Sequence, residues 1–132
     1  GWTVVEKGVQ DVSEIQVGLT SLSAANIIYI PTDNMLAENA ETLHSANVNS
    51  NFKRPIVCGE SGMNDKCGVA TYGVDYYELG KMAAHMAFDM SVKSAAEMPV
   101  RTQQNGMLSV RKDIAEAIGF TIPQSILDRA SE

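Results

Sequence analysis

Short apolar runs alternate along the chain with longer stretches in which apolar residues recur at helical spacing. The apolar runs predict four strands, at residues 2–9, 26–30, 54–59 and 68–74. The second and third runs are continuous rather than alternating, which is typical of strands covered on both faces of a parallel sheet.

Helical spacing predicts three longer helices between and after these strands. The first begins at Asp11, which has Glu14 three residues later in a capping-box pattern. Its buried stripe is predicted to consist of Val12, Ile15, Leu19 and Leu22. The second covers residues 35–48 and the third about 75–93. One face of the third carries Tyr76, Leu79, Ala83, Met86 and Met90.

The rest of the chain is predicted to be less regular. Residues 60–67 are interpreted as a loop, and a short helix at about 112–118 is followed by a last helical piece that Pro123 opens. Because strands and helices alternate, the order predicts an α/β fold in which helices flank a mostly parallel sheet, with right-handed crossovers.

Polar side chains follow three of the predicted strands where each one ends. Parallel strands bring their carboxyl ends to one edge of the sheet, which is where ligands bind in open α/β folds. The candidate ligand-binding residues at this edge are Thr32, Asp33 and Asn34, then Glu60 and Ser61, then Tyr72, Asp75 and Tyr76. Helix N-termini suit a ligand carboxylate and the acidic side chains suit an ammonium group, so the edge fits a zwitterion such as an amino acid.

A purely structural role is the alternative for each of these residues. Asp33, Asn34 and Asp75 are good helix N-caps, and Glu60 is equally well interpreted as a solvated loop residue. The tyrosines are more often packing residues than recognition residues. Met82, Met86 and Met90 are interpreted as core residues rather than as part of a cofactor site.

Composition narrows the class of protein. The length of 132 residues suffices for one domain, and the net charge of −6 argues against a nucleic-acid partner. No apolar run approaches the length of a membrane span and no signal peptide is present. The chain opens on Gly1 without an initiator Met, so we expect a fragment of a longer protein.

Cys58 and Cys67 lie nine positions apart, which matches neither a zinc site nor a redox motif. They are either two small buried residues or a disulfide pair. His44 and His85 lie within predicted helices and have no metal-ligand spacing, so we predict no metal and no cofactor.

Two catalytic or signalling alternatives compete with a binding role. A small hydrolase-like α/β enzyme would use Cys58 or Ser61, although the Ser of GESGM lacks the spacing of a nucleophile elbow. A receiver-like domain would use Asp33 as a phospho-acceptor, but the further acidic pair and the Lys that it needs are absent from the expected positions.

Four segments carry a family resemblance, in order and at matching spacing: IIYIPTDN, RPIVCGESGM, GVATYGVDYYELGKMAA and GFTIPQSIL. From about residue 4 to residue 130 the chain resembles bacterial ABC transporter substrate-binding proteins of the tryptophan/tyrosine-binding type. Such proteins are similar to type I periplasmic binding proteins, with two Rossmann-like three-layer lobes that are joined by a hinge and close on a small solute.

The resemblance implies that residues 1–132 are a single lobe, the C-terminal ligand-binding lobe of a two-lobe protein whose N-terminal lobe is missing. Residues 97–110 would be a hinge-crossing segment and 111–132 a C-terminal helical tail. The implied partners are an amino acid-like solute and the membrane permease of an ABC importer. The implied location is extracellular, periplasmic or lipid-anchored at the outer face of the cytoplasmic membrane.

Carried over by position, the resemblance gives the strand-end residues named above to the interlobe cleft. Asp75 would contact the ammonium group of an aromatic or related amino acid, and Tyr72 or Tyr76 would line the pocket. Because one wall of the cleft is missing, the isolated lobe is expected to bind weakly and to be capable of self-association.

Overall fold

Four strands form one sheet in a computed structural model that describes residues 1–130. They are β1 (Ile28–Ile30), β2 (Ile56–Cys58), β3 (Ala70–Gly73) and β4 (Met107–Val110), and their spatial order is their order in the chain. The first three are parallel, and β4 runs antiparallel to β3. The prediction of an α/β fold with a mostly parallel sheet is therefore confirmed.

The strand predicted at residues 2–9 is wrong. Residues 1–10 form no regular element, and Trp2 and Val4 are 89% and 77% exposed. A β-branched sequence becomes a strand only where a neighbouring strand takes up its backbone hydrogen bonds, and none of the described strands pairs with this segment. Val9 instead packs on Gly18 of the first helix. A Cβ added at Gly18 would lie 2.9 Å from the Cγ2 of Val9.

The helix predicted from Asp11 opens as a 3₁₀ turn at Val12–Glu14, and the helix predicted at about 75–93 ends at Asp89. The α-helices otherwise agree with the sequence pattern except at two places. They are α1 (Ile15–Ser21), α2 (Asn34–Glu38), α3 (Ala40–Val48), α4 (Ser61–Cys67), α5 (Tyr76–Asp89), α6 (Lys112–Ala117) and α7 (Gln124–Leu127). The helix predicted at 35–48 is divided at Asn39, whose side chain donates a hydrogen bond to the carbonyl oxygen of Met35 at 2.8 Å.

The loop predicted at residues 60–67 is also wrong, since α4 occupies this segment. Glu60 caps the helix by accepting hydrogen bonds from the backbone N–H groups of Gly62 and Met63. One side of α4 is buried, and it carries Met63, Asn64 and Cys67. Burial of that side, and not helix propensity, stabilises so short a helix.

The main core lies on the face of the sheet against which α1, α3 and α4 pack. Its fully buried centre includes Ile56 and Met63, each 0% exposed. The remaining buried members are Ile15, Leu19, Ile28, Ile30, Ala40, Leu43, Cys58 and Cys67. Of the stripe predicted for the first helix, Ile15 and Leu19 are therefore confirmed as buried, whereas Val12 is 37% exposed and Leu22 is only partly buried.

The opposite face of the sheet is more open. Because side chains alternate along a strand, Tyr29, Val57 and Tyr72 point away from the main core, and the two tyrosines are 65% and 63% exposed. The predicted apolar face of α5 buries no residue, so the interpretation of Met82, Met86 and Met90 as core residues is wrong. Asp75 caps this helix, and Met82 and Met86 are only half-buried, so its apolar face is partly covered.

The segment after α5 completes the sheet. Of the predicted hinge-crossing residues 97–110, the last four form β4, and the hinge role itself stays a prediction. The tail then packs a second small core of Val69, Ile114, Ala115 and Ile118. Residues 131 and 132 of the predicted tail lie outside the described part of the chain. Among the helices of residues 1–130, none is long and apolar enough to cross a bilayer.

Candidate functional site

The carboxyl ends of β1, β2 and β3 meet in direct backbone contact. A Cβ added at Gly59 would lie 2.7 Å from the backbone nitrogen of Thr32, and one added at Gly73 would lie 3.1 Å from the carbonyl oxygen of Gly59. The N–H of Gly59 also donates to the carbonyl oxygen of Ile30 at 2.8 Å. Glycine at positions 59 and 73 thus lets three strand ends form one continuous edge, as the sequence predicts.

Asp33 and Asn34 follow β1 at this edge. Asp33 is the N-cap of α2, and its Oδ1 accepts a hydrogen bond from the backbone N–H of Leu36 at 2.8 Å. Within residues 1–130 its Oδ2 makes no hydrogen bond, and the side chain is exposed. Thr32 and Asn34, the latter the first residue of α2, are exposed on either side of it. Among the described residues, Asp33 therefore combines the cap with one free carboxylate oxygen.

Glu60 and Ser61 follow β2, and Glu60 is bonded differently from Asp33. Its Oε2 accepts from the N–H of Gly62 at 2.7 Å, and its Oε1 accepts from the N–H of Met63. Both carboxylate oxygens are thus engaged by α4, of which Ser61 is the first residue. The interpretation of Glu60 as a solvated loop residue is wrong, because it is a partly buried helix cap.

Asp75 follows β3 and caps α5. A single oxygen, Oδ1, accepts from the N–H groups of Tyr77 at 2.9 Å and Glu78 at 3.0 Å. Among residues 1–130 no hydrogen bond reaches Oδ2. The backbone N–H of Asp75 donates to Oε1 of Gln103 at 3.0 Å, which ties the site to the segment before β4. Sequence reasoning missed Gln103 because nothing local marks a contact 28 residues away.

Two exposed aromatic rings stand at the same end of β3. Tyr72 is held in place by the backbone N–H of Gly106, which donates to its hydroxyl oxygen at 3.2 Å. Its ring also lies 2.9 Å from where a Cβ at Gly106 would be, so the glycine lets the chain approach the ring. Tyr76, the first residue of α5, is 57% exposed. Both rings offer a π-face on which a planar side chain can stack.

The edge favours a cation more than the sequence pattern indicates. Within residues 1–130, Asp33 and Asp75 each present one unbonded carboxylate oxygen, while part of the first-turn N–H groups, one in α2 and two each in α4 and α5, are already bonded to the helix caps. An ammonium group therefore finds acceptors here, whereas a ligand carboxylate has fewer free N–H donors than uncapped helices would offer.

The structure does not assemble the groups of the enzyme alternative. Cys58 is 1% exposed, and a hydrogen bond with Cys67 together with burial raises the pKa of its thiol, which opposes the thiolate that a nucleophile requires. Ser61 makes no hydrogen bond to a histidine within residues 1–130. In the same residues no three His, Cys, Asp or Glu side chains are placed to hold a metal ion.

A small apolar cavity adjoins this edge, since Ile30, Pro31 and Leu36 are among the residues that line it. Its volume is about 110 Å³, and it is open to solvent on one side and lined by the N-terminal segment, α1, β1 and the helices that follow β1. Lys7, Val9 and Tyr29 are among its lining residues, whereas none of the eight candidate residues lines it. The candidate residues thus lie on the open surface at the edge of the sheet and outside the lining of this neighbouring cavity.

Known proteins resemble this chain over nearly its whole length. A tyrosine-binding protein of Clostridioides difficile (strain R20291) is 31% identical over 119 residues, which are 89% of this chain and 34% of that protein. An ABC domain from Streptococcus pneumonia in complex with L-Trp is 29% identical with a TM-score of 0.74, and 93% of this chain covers 43% of it.

A third protein is similar over an even larger part of the chain. The ligand-free, open structure of a substrate binding protein with adhesive properties from Clostridium difficile has a TM-score of 0.77 and 31% identity. The match covers 99% of this chain and 44% of that one. These neighbours confirm the predicted periplasmic binding protein-like α/β fold. The chain spans about a third of the length of the curated relative and under half of the solved structures.

The family comparison agrees with these likenesses. The family described as ABC transporter substrate binding protein matches residues 1–132, the whole chain. This chain therefore belongs to the ABC transporter substrate-binding protein family.

Proposed function

We propose that this chain is the C-terminal lobe of the solute-binding component of an ABC importer, and that it binds an aromatic or related amino acid. The observation that carries the proposal is the edge at which three strand ends meet, with two half-bonded carboxylates beside two exposed tyrosines. The tyrosine-binding relative and the L-Trp complex support the same class of solute.

The ammonium group of the solute would bind to Asp75 and Asp33. Each has one oxygen committed to its helix cap and a second oxygen without a hydrogen bond within residues 1–130, so each can accept from an ammonium without uncapping its helix. Thr32 and Asn34, on either side of Asp33, would add hydrogen-bonding groups. Glu60 uses both of its oxygens on α4 and would therefore shape the floor of the site beside Ser61 without binding the charge.

The aromatic side chain of the solute would lie against Tyr72 and Tyr76. Offset or edge-to-face aromatic pairs are worth about 0.5–1.5 kcal/mol beyond the area that they bury. The hydrogen bond from Gly106 fixes the Tyr72 ring before a solute arrives, so little side-chain entropy remains to be lost on binding.

The opposing wall of the site would come from a second lobe of the full-length protein. Closure of two lobes about a hinge removes the solute from water and gives a membrane permease a closed form to recognise. A protein with this role acts outside the cytoplasmic membrane, either free in that space or lipid-anchored at the outer face. Catalysis has no place in this cycle, so we propose a non-enzymatic role.

Calorimetric titration of the full-length protein with a panel of amino acids tests the proposal, with Asp75→Asn as the main variant. Asn is as good an N-cap as Asp, so this change removes the charge and keeps the helix cap. We expect one aromatic amino acid to bind, and Asp75→Asn to lose tenfold or more in affinity with an unchanged Tm. Glu116→Gln, which removes one negative charge from an exposed position of α6, is the matched control and should bind within a factor of about three of wild type.

The possible outcomes distinguish the proposed class of solute from the proposed role of Asp75. Failure of every amino acid to bind to the full-length protein would contradict the proposed class of solute. Binding that survives Asp75→Asn unchanged would leave the solute class intact and reduce Asp75 to a helix cap.

A further inference from the structure

Two buried cysteine side chains face each other beneath the candidate site. Cys58 is the last residue of β2 and Cys67 the last residue of α4, and each is 1% exposed. Their Sγ atoms are 3.9 Å apart, at the distance of a thiol hydrogen bond. Both are free thiols in this structure.

Gly68 leaves space for the sulfur of Cys58 beside the end of α4. A Cβ added at Gly68 would lie 2.6 Å from the Sγ of Cys58, so a side chain at that position would occupy the space that this sulfur now uses. A disulfide requires the sulfurs to be about 2.05 Å apart, so forming one would bring them together by roughly 2 Å through rotation about χ1 and a shift of the end of α4.

We propose that Cys58 and Cys67 are joined by a disulfide bond in the mature protein. The oxidant is an aliphatic disulfide. One cysteine thiolate attacks it and releases one thiolate, and the second cysteine then attacks the mixed disulfide and releases the other. The two protons from the cysteines pass to the two released thiolates, so that two electrons leave the protein. The proposal rests on the proposed function in one respect, since a location outside the cytoplasmic membrane is oxidising.

The bond forms before the core closes. Both sulfurs are buried in the folded chain, and the hydrogen bond between them and their burial disfavour the thiolate of Cys58 by raising its pKa. Exchange with a dissolved disulfide is therefore fast in the unfolded or locally open chain and slow once α4 has docked. The same burial protects the finished bond from reductants.

The bond would fasten α4 to the strand that precedes it. It closes a loop of ten residues that contains Glu60 and Ser61, so it restricts the unfolded chain and keeps the floor of the candidate site in place. From the loop length we expect it to raise the Tm by roughly 8 °C.

Trypsin provides a direct test, because Lys66 lies between the two cysteines. The full-length protein is isolated without reductant, unfolded with iodoacetamide present, digested and examined by mass spectrometry. Cleavage after Lys53, Lys66 and Lys81 puts the cysteines into separate peptides, 54–66 and 67–81. We expect these two peptides to remain joined, without carbamidomethyl groups, and to separate on reduction.

The control is Cys67→Ser, whose peptide 54–66 must carry one carbamidomethyl group. A second measurement compares the Tm of the protein as isolated with that of protein unfolded and refolded in tris(2-carboxyethyl)phosphine, which should be lower for wild type and the same for the double variant Cys58→Ala, Cys67→Ala. Recovery of both peptides separately alkylated, even after refolding in oxidised and reduced glutathione, would overturn the proposal. Solute binding is measured independently, so this result leaves the proposed function untouched.

Discussion

Gly59 is the position at which the addition of one methyl group, in Gly59→Ala, should disturb the candidate site most. An added Cβ would lie 2.7 Å from the backbone nitrogen of Thr32 and 3.0 Å from the carbonyl carbon of Pro31. Both are backbone atoms and cannot rotate away, so the ends of β1 and β2 would have to separate by several tenths of an ångström. Gly59→Ala therefore disturbs the strand pairing and the edge together.

Three contributions determine how much Gly59→Ala changes the free energy of unfolding. Overpacking against fixed atoms costs about 1–3 kcal/mol. Weakening the hydrogen bond from the N–H of Gly59 to the carbonyl of Ile30 costs about 1 kcal/mol. Replacing glycine by alanine also restricts the unfolded chain, which stabilises the folded protein by about 0.4–1 kcal/mol. We expect the free energy of unfolding to fall by about 2 kcal/mol, and solute affinity to fall with it.

Gly80→Ala is the matched control. Gly80 lies within α5, and outside its chain neighbours and its own helix backbone no atom of residues 1–130 lies within 4 Å of the position of its Cβ, so alanine should raise the free energy of unfolding by up to about 1 kcal/mol. Urea unfolding followed by far-ultraviolet circular dichroism measures both variants. If Gly59→Ala proved as stable as wild type, or shifted the midpoint in the same direction as Gly80→Ala, the inferred contact of the strand ends would be wrong.

Two further predictions concern contacts away from the site. Asn47 is 2% exposed and binds both backbone groups of Arg54, donating to the oxygen at 2.7 Å and accepting from the N–H at 2.9 Å. Asn47→Ala should lower the free energy of unfolding by about 2–4 kcal/mol, and exposed Ser45→Ala by less than about 0.5; equal urea midpoints would contradict this. The hydrogen bond from Arg111 holds the pKa of Asp113 below its ordinary value. Asp113 should therefore stabilise the fold at pH 7, with an effect of at most about 0.5 kcal/mol since it is exposed. That stability is fully present above the unfolded pKa of about 3.9 and is lost as pH falls through the lowered folded value. The difference in urea midpoint between wild type and Asp113→Asn should shrink as the pH falls below about 3.9, and a difference that does not shrink would refute the assignment.

Short sequence patterns predict those parts of the fold that depend on residues close together in the chain. Continuous apolar runs locate β1 and β2, and the rule that parallel strands end at one edge is enough to group Asp33, Glu60 and Asp75 from the sequence alone. The helix at residues 61–67 was missed because it contains Gly62 and Asn64, which are weak helix formers, and because Glu is not a common N-cap.

Other features depend on partners far along the chain. The hydrogen bond between Gln103 and Asp75 joins residues that no local pattern connects. The segment 2–9 carries a strand sequence whose pairing partner is not among the described strands, and the apolar stripe of α5 likewise packs on none of the core. Propensity indicates which secondary structure a segment can form, whereas pairing or packing with another segment decides whether it forms.

The match between spatial and chain order in the sheet bears on how the protein is made. As β2, β3 and β4 leave the ribosome in turn, each finds its pairing strand already synthesised and lying at the growing edge. No strand among those described has to be inserted between two that have already paired. The sheet can therefore be built during translation by addition at one side, and β4 completes it when its antiparallel pairing with β3 forms.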